Sequence, residues 1–275
     1  LYLALFPKLV MGPIVPYHEL EPALAQRTID AQDVSDGCFR FTIGLAKKAL
    51  LADALAGLVT GIWGDLASLT VLSAWLGLIG YALQLYFDFS GYSDMAIGLG
   101  RMLGFRFPEN FRYPYLCSSI SDFWRRWHIS LGSWFKEYLY FPLGGSRTGT
   151  LRTLRNLLLV WLATGLWHGA SWNYVLWGLY FGVLICLEKL LAPRFRAHPR
   201  KGLLAGLYRP VCLLLAVLGW VLFRAEDLPA AGRYFACLFG GAAGASAQAR
   251  LYLHDFWPVL LLGAVGATPL CAKLA

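Results

Sequence analysis

Apolar residues in this chain form long continuous stretches rather than single faces of otherwise polar helices. Leu66 to Phe87 carries no charged side chain over 22 positions. At helical rise that is about 33 Å, enough to cross a bilayer, so the pattern predicts a spanning helix there. A second apolar run, Leu157 to Leu187, is broken by Trp167, His168 and Gly169. It reads as a helical hairpin with arms Asn156–His168 and Ser171–Leu187 and its bend at Gly169–Ala170. Arms of that length rise only about 20 and 26 Å, which predicts a bend inside the roughly 30 Å hydrocarbon layer, where freed backbone groups must be buried in protein or face water. His168 is therefore expected to line a tunnel. Phe39–Thr60, carrying Lys47, Lys48 and Asp53, reads as a tilted helix, and Pro210–Phe223 and Phe256–Leu274 as further spans. Gly240–Ala249 reads as a loop. Together these predict an all-α, polytopic membrane protein with six embedded helices plus interfacial ones, in a single domain covering residues 1–275.

Composition agrees, with 58% hydrophobic and 15% charged residues, against about 25% charged in soluble domains. The net charge of +8 could suggest nucleic acid, but its distribution argues for membrane topology instead. No Lys or Arg lies between Lys48 and Arg101, whereas basic residues crowd Arg101–Arg155 and Lys189–Arg209. The positive-inside rule puts those two segments in the cytoplasm and Gly61–Asp65 outside. The chain opens in an apolar stretch with no n-region or cleavage pattern, so no signal peptide is expected.

Three groups of residues carry candidate chemistry. An ionisable side chain inside an apolar run is costly and marks a pathway or reaction site, which singles out His168, with Trp167 and Asn173 beside it. A neutral imidazole there serves as a base or hydrogen-bond partner. His128 lies in an amphipathic stretch with Trp124, Arg125, Arg126, Trp127 and Trp134. Spacing alone supports a second tunnel histidine and an interfacial polar side chain equally. Asp88, Ser90, Tyr92 and Asp94 follow the first span in a Gly-containing segment. They read as residues satisfying a broken helix there, with tunnel lining as the alternative. Arg125 and Arg126 are candidates to attract a phosphate-bearing donor, although topology alone also accounts for them.

Several runs resemble the membrane-bound O-acyltransferase superfamily. They are Phe6–Val15, Asp88–Asp94 (Asp-Phe-Ser-Gly-Tyr-Ser-Asp), Phe107–Phe111 (Phe-Pro-Glu-Asn-Phe), Asp122–Ser130 (Asp-Phe-Trp-Arg-Arg-Trp-His-Ile-Ser), Tyr138–Gly145 and Gly165–Gly169 (Gly-Leu-Trp-His-Gly). They occur in the family's order, and the bacterial alginate O-acetyltransferase branch is the most similar. The resemblance implies a helical bundle with re-entrant and interfacial helices around a tunnel, with His168 and His128 as the signature catalytic pair. It also implies a multi-pass protein of the bacterial inner membrane, embedded in lipid, that uses acetyl-CoA or another acyl thioester as donor and holds no bound cofactor. A periplasmic acetyltransferase partner of a polysaccharide-modification system is expected. Family members begin with further membrane helices, so the chain reads as a piece lacking them.

Absent patterns narrow the field. There is no Gly-x-Ser-x-Gly elbow, and Asn173 stands where a soluble acyltransferase would have an Asp five residues after its His. The six cysteines form no Cys-x-x-Cys pair, so no metal site or disulfide framework is expected. His18, His198 and His254 read as surface residues. A transporter or channel using the same tunnel is the alternative function, since broken helices and buried carboxylates also suit a substrate pathway.

Overall fold

The computed structural model describes residues 2–147, 149–197 and 203–270, and among them every regular element is helical. A short 3₁₀ turn, Phe6–Lys8, precedes α1 (Tyr17–Ala25) and α2 (Ala31–Ala46). A π turn over Lys47–Ala52 joins α2 to α3 (Asp53–Trp63), and α4 (Val71–Met102) follows. Two short helices, α5 (Ile120–Trp124) and α6 (Ile129–Phe135), lead into a second π turn, Lys136–Tyr140. Then come α7 (Thr150–His168), α8 (Trp172–Ala197), α9 (Leu203–Arg224), α10 (Leu228–Leu238) and α11 (Ala247–Gly266).

The first predicted span starts later than expected and runs much further. Leu66–Ser68 is a turn, and Thr70 caps α4 by accepting from the Ser73 amide while Ser73 Oγ accepts from the Thr70 amide. From Val71 the helix continues unbroken for 32 residues, about 48 Å, so the break expected between Asp88 and Asp94 does not exist. Gly91 serves another purpose. α2 and α4 cross antiparallel with Gly44 against Gly91 and Gly37 against Gly98, so close that a Cβ on any of the four would meet backbone of the facing helix under 3.0 Å. Small residues at such a crossing let two helices touch along their backbones.

α7 and α8 form the predicted hairpin around Gly169–Ser171, and Gly165 and Gly178 let them approach at the same close range. Its arms are 19 and 26 residues rather than 13 and 17. Arms of that length do not require the bend to lie within the membrane. Among the described residues, three helices are long and apolar enough to cross a membrane: Val71–Met102, Trp172–Leu191 and Gly206–Arg224. Six were expected. Lys47, Lys48 and Asp53 interrupt the α2–α3 run, Arg152 and Arg155 the start of α7, and α11 begins at Ala247, well before Phe256. The Gly240–Ala249 loop accordingly ends at Ser246, which caps α11. His18 and His254 are exposed, and His198 lies outside the described residues.

The main core gathers on α4. Leu55 and Leu58 of α3, Leu78 and Phe87 of α4, Trp177 and Phe181 of α8, Trp220 of α9 and Tyr234 of α10 are all fully buried in it. Trp63 stacks on Tyr234 at 3.9 Å, and the Tyr234 hydroxyl donates to the Ala74 carbonyl, tying α10 to α3 and α4. A smaller cluster of Leu5, Val15, Leu20, Phe105 and Phe107 seats the N-terminal segment beside the end of α4.

Candidate functional site

A cavity of about 430 Å³ lies between α4, the α5–α6 segment, the α7–α8 hairpin and α9. One face of α7 forms its long wall. Leu157, Val160, Trp161, Thr164 and His168 recur at helical spacing and extend over about 16 Å. Tryptophans supply much of the rest, namely Trp124, Trp127, Trp177 and Trp220. Such walls exclude water and give buried polar groups more influence than they have in solution.

His128 and His168 both line this cavity. The His128 side chain is buried, which favours the tunnel reading over the interfacial one. Phe89 meets its ring edge-on at 4.7 Å. Burial, and then the nearby His168, hold the His128 imidazole well below the usual histidine range, so it is neutral at pH 7. The backbone at His128 is left-handed, with φ +46°, which a side-chain-bearing residue adopts at a cost of about 1–2 kcal/mol. Asn110 meets this strained residue. Its carbonyl accepts from the Ile129 amide at 3.0 Å, and its side-chain Oδ1 is 3.2 Å from His128 Nδ1.

His168 ends α7 and is held differently. Trp167, Trp177 and Phe223 stand edge-on around its ring at centroid distances of 4.8 to 5.1 Å, and no hydrogen-bond partner is present among the described residues. Trp167 is exposed and lies outside the cavity lining, with its ring 4.8 Å from that of His168 and 6.3 Å from that of His128.

The short α5 brings Ser121, Trp124 and Arg125 to the cavity, and its N-terminus is tied down by a residue from α8. Glu188 accepts from the Ile120 amide at 2.7 Å, the Ser121 amide at 2.9 Å and the Ser121 hydroxyl at 2.6 Å, while Ser119 accepts from the Asp122 amide. Asp122 in turn holds Arg126 at 3.1 Å. Burial works to raise the Asp122 pKa, but the Ser118 amide and Arg126 outweigh it and leave the carboxyl below its usual range. The two donor-binding candidates therefore separate. Both reach Asp122, Arg126 at 3.1 Å and Arg125 at 3.9 Å, but Arg125 is exposed and lines the cavity, joined by Lys136, whereas Arg126 lies outside the lining.

The Asp88–Asp94 group is not brought to the cavity. Asp94 is buried and bridges Arg40 at 2.5 Å and Lys47 at 2.6 Å, and Asp88 pairs with Lys48 at 2.7 Å. Ser90 is buried on α4, and the Tyr92 hydroxyl donates to the Leu9 carbonyl. Asn173 is buried and donates to the Ala225 carbonyl at 2.6 Å, joining the hairpin bend to the end of α9. Sequence reasoning gave no role to Asn110, Lys136 or Glu188. Asn110 alone left a trace, as part of the Phe107–Phe111 motif.

The family model of MBOAT, the membrane-bound O-acyltransferase family, matches residues 1–219. This chain belongs to that family. A protein of Pseudomonas fluorescens named "Probable alginate O-acetylase AlgI" is 47% identical, over 86% of this chain and 47% of its own length. A peptidoglycan O-acetyltransferase of Helicobacter pylori is 40% identical over 84% of this chain and 44% of its own length. A teichoic acid D-alanyltransferase of Bacillus subtilis is 30% identical over 67% of this chain and 49% of its own length. The chain thus spans about half the length of these MBOAT relatives, and that half includes both cavity histidines.

Proposed function

We propose that this chain forms the reaction chamber of a membrane O-acyltransferase of the bacterial inner membrane, which passes an acetyl or similar acyl group from a cytoplasmic thioester toward a cell-envelope polysaccharide such as alginate. The observation that carries this reading is the shared cavity of His128 and His168, walled by indole rings. An acceptor oxygen attacks the thioester carbonyl carbon as its proton passes to a neutral imidazole nitrogen. The tetrahedral intermediate collapses, the carbon–sulfur bond breaks, and the departing sulfur takes a proton to leave as a thiol. In an alternative order an imidazole nitrogen is acylated first and then gives the group to the hydroxyl.

The cavity would take the reacting end of the thioester donor. Arg125 and Lys136 at its edge suit the donor's phosphates. A periplasmic acetyltransferase partner would complete transfer to the polymer. The relatives' names, which span alginate, peptidoglycan and teichoic acid, support a common acyl-transfer chamber with acceptor choice made elsewhere. The unbroken α4 removes one of the helix breaks that would suit a transporter.

The test is transfer from radiolabelled acetyl-CoA in membranes carrying the full-length protein, with insertion of each variant verified. His168→Ala and His128→Ala should each lower turnover by about 10² to 10⁴-fold, the range for loss of a positioned acid–base group. Turnover that survives both substitutions rejects the histidine mechanism.

A further inference from the structure

We propose that Asn110 is a positioning residue that fixes His128 in its Nδ1–H tautomer, leaving Nε2 as the proton-accepting nitrogen at the cavity. This inference deepens the acyl-transfer reading and rests on it.

Two of the groups around Asn110 can play only one hydrogen-bonding role. The amide of Ser130 lies 3.2 Å from the side-chain Oδ1 of Asn110. A backbone N–H only donates, so the atom facing it must be the amide oxygen, and Asn110 Nδ2 is then the atom donating to Ser93 Oγ at 3.1 Å. The same logic extends one step further. The Ile14 amide donates to Ser130 Oγ at 3.0 Å, and that hydroxyl in turn donates its hydrogen bond to Asn110 Oδ1 at 2.9 Å. An amide oxygen only accepts, so His128 Nδ1, 3.2 Å away, must carry the hydrogen. A neutral imidazole has one N–H, and Nε2 is left with its lone pair.

Backbone geometry points the same way. Asn110 accepts from the Ile129 amide, and the Arg112 amide donates to the Arg126 carbonyl, so the segment after Pro108 is laced to the residues on both sides of His128. This lacing holds the left-handed conformation that an isolated His would leave, and retained strain of this kind gathers at functional sites. His168, by contrast, is held only by aromatic edges. Among the described residues, His128 thus has a hydrogen-bond partner that assigns its tautomer and His168 has only aromatic neighbours, Tyr174 among them.

In the reaction, the acceptor hydroxyl gives its proton to Nε2 as its oxygen bonds the carbonyl carbon. The imidazolium keeps its Nδ1–H on Asn110, then returns the Nε2 proton to the departing sulfur, restoring the starting tautomer. The other titratable groups lining the cavity are His168 on α7, Arg125 after α5, and Lys136 and Tyr140 in the π turn.

The experiment uses the full-length protein in membranes. Wild-type acetyl transfer is measured first, because its absence would reject the acyl-transfer reading itself. Nitrogen NMR of the ¹⁵N-histidine-labelled protein then assigns the His128 tautomer by difference from His128→Gln, a readout independent of turnover. An Nδ1–H signal is expected in the wild type, and Nε2–H would overturn the proposal. Asn110→Leu should lose about 10²-fold in kcat with little change in thioester KM. Asn110→Asp restores the acceptor. It should retain turnover, with the acid limb of its pH–rate profile moved to higher pH, because a carboxylate beside Nδ1–H favours the imidazolium. An acid limb unmoved in Asn110→Asp, or full kcat in Asn110→Leu, would also overturn the proposal.

Discussion

Asp94 shows how a charge inside an apolar helix can be structural. Its carboxylate is buried and answers two cations from α2 and the adjoining π turn, Arg40 and Lys47, and Arg40 is shared with Glu109. Removing one member of such a group leaves the others desolvated and unmatched, which costs more than the pair itself contributes. Arg40 and Lys47 are about a third exposed, so water recovers part of the loss. Asp94→Asn should therefore lower stability by about 1–3 kcal/mol while leaving turnover per folded molecule unchanged. Thermal unfolding in detergent, paired with acetyl transfer normalised to folded protein, checks both halves. A large fall in normalised turnover with unaltered stability would put Asp94 in the chemistry. His168 was legible in the sequence because an imidazole interrupts hydrocarbon. Asn110 was not, since its importance lies in contacts with Ser93, His128 and Ser130 that exist only once α4 and the α5–α6 segment are side by side.

Helices were easier to recognise than their ends or their contacts. The apolar runs marked α4, α8 and α9, but Gly91 has two meanings in a sequence, a helix break or a helix crossing, and only the facing Gly44 decides between them. The contrast between two glycines makes the crossing testable. Gly→Ala inside a helix gains about 1 kcal/mol of intrinsic propensity, whereas forcing a methyl group into a filled contact costs about 1–3 kcal/mol. Gly91→Ala places its Cβ under 3.0 Å from the Gly44 carbonyl oxygen, so overpacking should win and the protein should be less stable. Gly232→Ala on α10 meets nothing within 4 Å and should be neutral or stabilising. Melting temperatures of the two variants in one detergent would settle the matter, and equal shifts would mean that α2 and α4 do not touch as described. The hairpin teaches a related lesson. Its bend lies at the Gly169 break the sequence marks, but both arms outrun the apolar run, which Arg152 and Arg155 cut short on α7 and Glu188 and Lys189 on α8.

At the scale of the whole molecule the distribution of charge predicts which way the chamber faces. α4 is about 48 Å long, more than the roughly 30 Å of hydrocarbon, long enough to cross a bilayer and place its two ends on opposite sides. Its N-terminal end adjoins the Gly64–Thr70 turn, which carries Asp65 and no cation, and its C-terminal end runs into Arg101 and Arg106. The start of α7, near Arg147, Arg152 and Arg155, carries the same sign, and the antiparallel hairpin returns the chain at Glu188 and Lys189 to that side. All of these cations are placed consistently if that side is cytoplasmic, where a thioester donor would be found. Ser68 and Ser146 are exposed at the two levels. With the native cysteines replaced, Ser68→Cys should react with a membrane-impermeant maleimide in intact spheroplasts, and Ser146→Cys only after permeabilisation. The reverse pattern would place the basic segments outside and leave the cavity without a route to a cytoplasmic donor. Labelling of both in intact spheroplasts would mean that α4 does not cross the bilayer at all.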